Sequence, residues 1–172
     1  AMPDDDTRSI ELEVEVAGTP EQVWQAIATG PGISSWYVPH TVEERTGGLE
    51  IGSRTVIRAK IGPVPQRWVA EHTAYEKGRL FRDEMRSGPF HTWIHTHRCV
   101  PISANRSVLE DEIQYELPRG ALGSLFGGGF AKGKLESAFN YRHALTLADL
   151  ERHSRFAGTQ PKIIAITGAS GL

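Results

Sequence analysis

The chain has little of several things that would have pointed elsewhere. It holds one cysteine among 172 residues, Cys99, so no internal disulfide can brace it. It has no excess of positive charge: 19 Lys and Arg stand against 21 Asp and Glu, a formal net charge of -2. A phosphate backbone asks for the opposite balance, so nucleic-acid binding is not expected. No apolar run approaches the roughly 18 residues that a membrane-spanning helix requires, and no membrane span is expected. The first residues carry Asp4, Asp5 and Asp6 where a secretory leader would be basic and then apolar. The expectation is a cytoplasmic protein. There is also no G-x-S-x-G turn to present a serine nucleophile.

What remains is 39% hydrophobic and 23% charged, the make-up of a chain with one ordinary core. Residues 10–16, IELEVEV, alternate strictly, with Ile10, Leu12, Val14 and Val16 on one face and three glutamates on the other, which predicts a half-buried strand. Thr19-Pro20-Glu21-Gln22 is a capping box with proline in the first turn, opening a short helix marked by Val23, Trp24 and Ile27. After Gly30-Pro31-Gly32, the stretch ISSWYVP predicts a second short helical piece.

From about 41 to 117 the pattern is strand after strand, punctuated by Gly47-Gly48, Gly62-Pro63, Lys77-Gly78, Gly88-Pro89 and Ala104-Asn105. This predicts hairpins and an antiparallel sheet. Residues 118–133 are rich in glycine yet carry Leu122, Leu125, Phe126 and Phe130, which fits either a flap over something apolar or an extension of the helix that follows. That helix, residues 134–153, is the one long helical pattern in the chain. It places Leu135, Ala138, Phe139, Tyr141, Leu145, Ala148 and Leu150 on one arc, with Arg142, Thr146 and Asp149 at its centre. Polar residues there ask for a wet or ligand-filled space beneath the helix.

Hairpin arithmetic brings further polar residues to the same side. A turn centred near Ala104 sets His97 opposite Asp111, His95 opposite Ile113 and Trp93 opposite Tyr115. The turn at Gly88-Pro89 sets Asp83 near His95. Because Asp111 shares a face with Leu109, Ile113 and Tyr115, these histidines are expected to point inward. A cluster of Asp83, His95, His97 and Asp111, roofed by Arg142, admits three readings: a satisfied network bracing sheet to helix, a polar anchor for a ligand, or a general acid-base group. Trp93, Tyr115 and Thr146 complete the expected ligand-binding set. His-x-His on a strand also suits a metal, but the local motif is weak evidence and no metal is assigned. His72, His143 and His153 are expected at the surface or an edge, and Cys99 as a buried thiol.

The order of elements, with IELEVEVAGTPEQVWQAIAT and SSWYVP at the start, GPFHTWIHTHR in the middle, and DEIQYELP with FNYRHALTLADL at the end, resembles the SRPBCC (START-like, polyketide-cyclase-related) superfamily. The resemblance implies an α+β helix-grip fold over residues 9–157: a curved antiparallel sheet wrapped around a long C-terminal helix, with two short helices after the first strand. It also implies binding of a small apolar or amphipathic ligand between sheet and helix. A cyclase-type enzyme or a pocketless interaction domain stands as the alternative. The last residues, 158–172, read as a linker followed by IIAITGASGL, which is similar to the first strand and glycine turn of an epimerase-like, short-chain-dehydrogenase-type domain. Gly168 and Gly171 are present and the sequence ends before the third glycine. The expectation is an N-terminal domain that precedes such an enzyme, with NAD(P) implied only for that following domain and no cofactor for this one.

Overall fold

The computed structural model describes residues 7–29, 40–60, 64–118, 128–160 and 162. Strand β1 (Arg8–Ala17) leads into helix α1 (Pro20–Thr29). Six strands follow: β2 (His40–Thr46), β3 (Arg54–Lys60), β4 (Pro65–Glu76), β5 (Leu80–Ser87), β6 (Thr92–Ser103) and β7 (Arg106–Glu116). Helix α2 (Gly128–Arg155) closes the described chain. The second short helix expected after α1, and the dinucleotide-type strand expected at 163–172, lie outside the described residues.

The strands form one antiparallel sheet in the order β1-β7-β6-β5-β4-β3-β2. All neighbours but one are consecutive in sequence, which is what short hairpins produce. The exception is β1, which pairs with β7 and brings the start of the chain beside its penultimate element. At the β4-β5 turn Gly78 sits at φ +79°, left-handed space that a side chain enters only with strain, and Arg79 N donates to Glu76 O at 3.0 Å. With the long helix gripped by this curved sheet, the architecture is the α+β helix-grip fold.

The capping box operates as the sequence predicts. Gln22 N donates to Thr19 Oγ1 at 3.2 Å and Thr19 N donates to Gln22 Oε1 at 2.9 Å, so two otherwise orphaned amides at the start of α1 are satisfied. Alternation in β7 is complete, with Ser107, Leu109, Asp111, Ile113 and Tyr115 all buried.

Two apolar cores lie along the inner face. One joins Ile10, Ile57, Trp68, Trp93, Ile113, Tyr115 and Phe139; the other joins Val16, Val23, Trp24, Phe81, Cys99, Leu109 and Leu150. His95 and His97 lie between them on β6. Helix α2 begins at Gly128, before the expected 134, so the end of the glycine-rich stretch is helical and 119–127 lies outside the described residues. Its buried stripe is also turned from the expected one: Ala131, Phe139, His143, Thr146 and Leu150 are buried, whereas Tyr141 is 47% exposed. Spacings of three, four and eight residues are those of one helical face. Among the described residues no helix is long and apolar enough to cross a membrane.

This orientation of α2 predicts that Phe139→Ala, which opens a cavity between the sheet and the helix, costs about 3–5 kcal/mol. Tyr141→Ala is expected to cost less than about 1 kcal/mol. Urea unfolding of both variants checks the contrast, and equal costs would contradict the rotation.

Candidate functional site

The register places Asp83 directly across from His95, His97 across from Asp111, and Trp93 across from Tyr115. These are the pairings that the turn positions imply. Three strands thereby contribute to one patch on the inner face, and α2 covers it with His143 and Phe139.

Asp111 is the hub. His95 Nε2 lies 2.7 Å from its Oδ1, His97 Nδ1 lies 2.8 Å from the same oxygen, and His143 Nε2 lies 2.5 Å from Oδ2. Burial penalises the Asp111 charge, yet the charge on His97 and the donations from His143, His95 and His97 outweigh it and hold the carboxyl well below its usual range. An ionised carboxylate only accepts hydrogen bonds, so each of the three ring nitrogens facing it carries a proton. That fixes tautomers. His95 directs Nδ1, and His97 directs Nε2, toward Asp83 Oδ1, at 3.8 and 3.5 Å.

The two neighbouring imidazoles are pushed opposite ways. Burial, and after it the positive charge of His97, bring His95 down to about 4, with Asp111 and Asp83 opposing only in part. For His97, burial is outweighed by the charge of Asp111 and by contacts with Asp111 and Asp83, so its proton is held above the usual imidazole range. Asp83 is lowered: burial acts against its charge, but His97, His95 and His72 favour it. Packing fixes the rings as well. His97 stacks on Phe81 with centroids 4.1 Å apart, and Phe139 meets His95 edge-on at 4.9 Å.

The other expected residues are dispersed around this hub. Trp93 and Tyr115 belong to an aromatic group beside it, with Trp93 5.0 Å from Trp68 and 4.9 Å from Phe90 between ring centroids. Arg142 is half-buried, close enough for its charge to act on His97. Thr146 is buried, but its hydroxyl donates to Arg142 O at 3.1 Å within the helix, which spends its hydrogen on the backbone.

His143 corrects the sequence expectation. It is 6% exposed and bonded to Asp111, not a surface residue, because the turned helix aims it at the buried carboxylate. Its spacing of four from Phe139 and three from Thr146 was the available signal. His72 is half-buried and sits across from Asp83 in β4, and among the described residues its buried Nδ1 has no hydrogen-bond partner; burial, the first cause, lowers its proton affinity. His153 is exposed as expected, and Cys99 is buried.

A cleft of about 980 Å³ opens between α1 and the end of α2, lined by Gln22, Gln25, Leu147, Leu150 and Arg155 among others. None of the expected site residues lines it.

Seven antiparallel strands, a capped helix after the first and a long helix over the inner face define a helix-grip protein with a polar cluster between two apolar cores. The family model for polyketide cyclase / dehydrase and lipid transport matches residues 7–154, and the chain belongs to that family, which is of the SRPBCC type. No curated protein matches the chain. Among solved structures it is similar to the Zhui aromatase/cyclase from Streptomyces sp. R1128, at 18% identity and TM-score 0.65, covering 88% of this chain and 98% of that one. It is also similar to a START superfamily protein from Mycobacterium smegmatis, at 12% identity and TM-score 0.64, covering 84% and 97%. A norcoclaurine synthase from Thalictrum flavum matches at 14% identity and TM-score 0.57, covering 86% and 96%. At these identities the likeness is one of fold.

Because His95 in the folded chain stays neutral down to about pH 4 while an unfolded imidazole protonates near 6.5, the unfolded state binds more protons across that window. Stability is therefore expected to fall as pH drops from 6.5 toward 4, with half-buried His72 adding in the same direction. His97, held above the usual range, acts oppositely: its contribution is full below 6.5 and lost as pH rises through its folded value. Denaturant titrations of wild type and His95→Gln across pH 4–7 check this. Gln keeps a donor for Asp111, so the variant should show a shallower acid slope; an identical slope would refute the assignment.

Proposed function

We propose that this domain binds one small apolar or amphipathic molecule between the sheet and α2, its apolar part against the Trp68, Phe90, Trp93 and Tyr115 group and its polar end toward Asp83, His95, His97 and Arg142. The observation that carries this reading is the polar cluster itself: two carboxylates and two imidazoles on the inner face, joined by His143 from α2, beside an aromatic wall, with Asp83 and Arg142 only half-buried. Mixed apolar and convergent polar linings are what small-molecule sites are built from. Arg142 is suited to a carboxylate or another acceptor on that molecule. Membership of a family described by cyclase, dehydrase and lipid-transport members supports the same class of ligand.

A second reading is acid-base catalysis on a bound carbonyl compound. It is favoured by one feature: His95 and His97, with ring centroids 3.7 Å apart, are both oriented by a single oxygen of Asp111, as a carboxylate orients a catalytic imidazole. In the intact protein we place the domain, residues 9–157, ahead of an epimerase-like domain to which it presents or admits a substrate in the cytoplasm. NAD(P) belongs to that following domain and not to this one. The support is the sequence IIAITGASGL at 163–172, with Gly168 and Gly171.

Titration of the chain with 2-naphthoate, an aromatic carboxylate, read by tryptophan fluorescence and by native mass spectrometry, tests the binding reading. Saturable one-to-one binding that weakens at least about tenfold, roughly 1.4 kcal/mol, in Arg142→Ala is expected. No saturable binding of this or of any co-purified small molecule would sink it. Turnover that disappears in His97→Gln while binding persists would select the enzyme instead.

A further inference from the structure

We infer that Asp83, His95 and His97 form a binding site for one divalent transition-metal ion, with Zn²⁺ the simplest occupant and Asp111 as the carboxylate that orients both histidines. The inference needs no organic ligand, so it stands or falls separately from the reading above.

Distance gives the first argument. The donor atoms of the three residues lie within 4.8 Å of one another. His95 Nδ1 and His97 Nε2 are 3.8 and 3.5 Å from Asp83 Oδ1, longer than the roughly 2.7–3.2 Å of an N–H···O hydrogen bond. Two donors each about 2.0–2.2 Å from a shared ion, at tetrahedral or somewhat wider angles, stand about 3.3–3.8 Å apart. The His95 gap is too wide for direct bonding and the His97 gap is a long, weak contact, while both have the width that a shared ion would set.

Tautomers give the second. Since Asp111 accepts from His95 Nε2 and faces His97 Nδ1, both remaining ring nitrogens present lone pairs to the Asp83 side when the imidazoles are neutral. A carboxylate behind a ligating imidazole fixes its orientation and raises its basicity, and here one carboxylate serves two rings. His143 holds the other oxygen of that carboxylate and keeps it from turning.

Construction of the site gives the third. His-x-His on β6 projects both rings to one side, and the β5-β6 register sets Asp83 opposite the first of them. The histidines are buried, while the Asp83 side chain is 19% exposed, so an ion would reach the site from the Asp83 side. His72 pairs with Asp83 across the β4-β5 register, and among the described residues its buried Nδ1 has no hydrogen-bond partner. Two imidazoles with one carboxylate suit Zn²⁺, Co²⁺ or Fe²⁺ better than Mg²⁺ or Ca²⁺, which take oxygen donors.

The test uses the full chain, freed of any affinity tag and stripped with a chelator, titrated calorimetrically with Zn²⁺ alone and spectroscopically with Co²⁺. Uptake of one ion per chain, a raised Tm with Zn²⁺ and a Co²⁺ visible band of low-coordinate type are expected. Asp83→Ala should weaken binding at least about tenfold and Asp111→Asn by about 10- to 100-fold, while the exposed His153→Ala leaves it unchanged. Absence of saturable uptake by the folded wild type would overturn the inference, as would equal affinity in folded Asp83→Ala. Should Asp111→Asn fail to fold, Asp83→Ala decides alone, since its side chain reaches the surface.

Discussion

A single buried charge, the carboxylate of Asp111, sets the terms for the rest of this structure. A carboxylate taken out of water without partners would cost several kcal/mol or give up its ionisation. Here it keeps the charge because three imidazoles from β6 and α2 surround its two oxygens. Sheet and helix are therefore tied at their midpoint by directional bonds, where apolar packing alone would leave the helix free to settle at neighbouring rotations. His143 can reach Asp111 from one face of α2 only. That requirement explains why Phe139, Thr146 and Leu150 are buried with it and why Tyr141 is left outside.

The hub also divides the core. On β6 the inward series runs Trp93, His95, His97, Cys99, so an apolar residue stands at each end and the polar pair stands between. One core gathers the aromatic residues of β4, β6 and β7 with Ile57 and Ala59 of β3, and the other joins α1 to the far ends of the strands. Nothing in hydrophobic burial demands a polar belt at this position. A wholly apolar replacement would be as stable or more so by the usual balance of buried ion pairs against hydrophobic packing. Under the proposed binding readings the belt has a use that packing does not supply, and Asp83, with a side chain 19% exposed, stands on the side from which a ligand or ion would arrive.

Much of this was legible in the sequence because tight turns fix register. Once Ala104-Asn105 is read as a hairpin turn, His97 must face Asp111, and Gly88-Pro89 does the same for Asp83 and His95; strand periodicity leaves no freedom to slip by one residue without exposing Leu109 and Ile113. The helix was less legible. Scoring α2 by apolar content counts Tyr141 toward the buried arc and His143 against it, so the arc is centred near Arg142 when the hydrogen-bonding partner is unknown. A buried histidine is invisible to hydrophobicity, and its carboxylate is 32 residues away. The start of α2 stayed open between a flap and a helical extension for a different reason: Gly128, Gly129 and Gly133 have poor intrinsic helix propensity, and the helix there is continued from a well-packed body and not nucleated locally.

The two ideas about the inner face differ in what they ask of the same atoms. A ligand that bonds to Asp83 from outside leaves its Oδ1 as it stands, facing two imidazoles across gaps too wide for good hydrogen bonds. An ion between them uses those gaps. It also replaces the proton that His97 holds against the penalty of burial, since the field of two carboxylates favours a cation in either form. The arrangement around Asp111 is the same in both cases, which is why it cannot by itself separate them. The distinguishing geometry lies one layer further out, in the 3.5 and 3.8 Å separations at Asp83. A network serving only to brace the helix would be expected to close them, because buried polar atoms at hydrogen-bonding distance are more stable than the same atoms held apart.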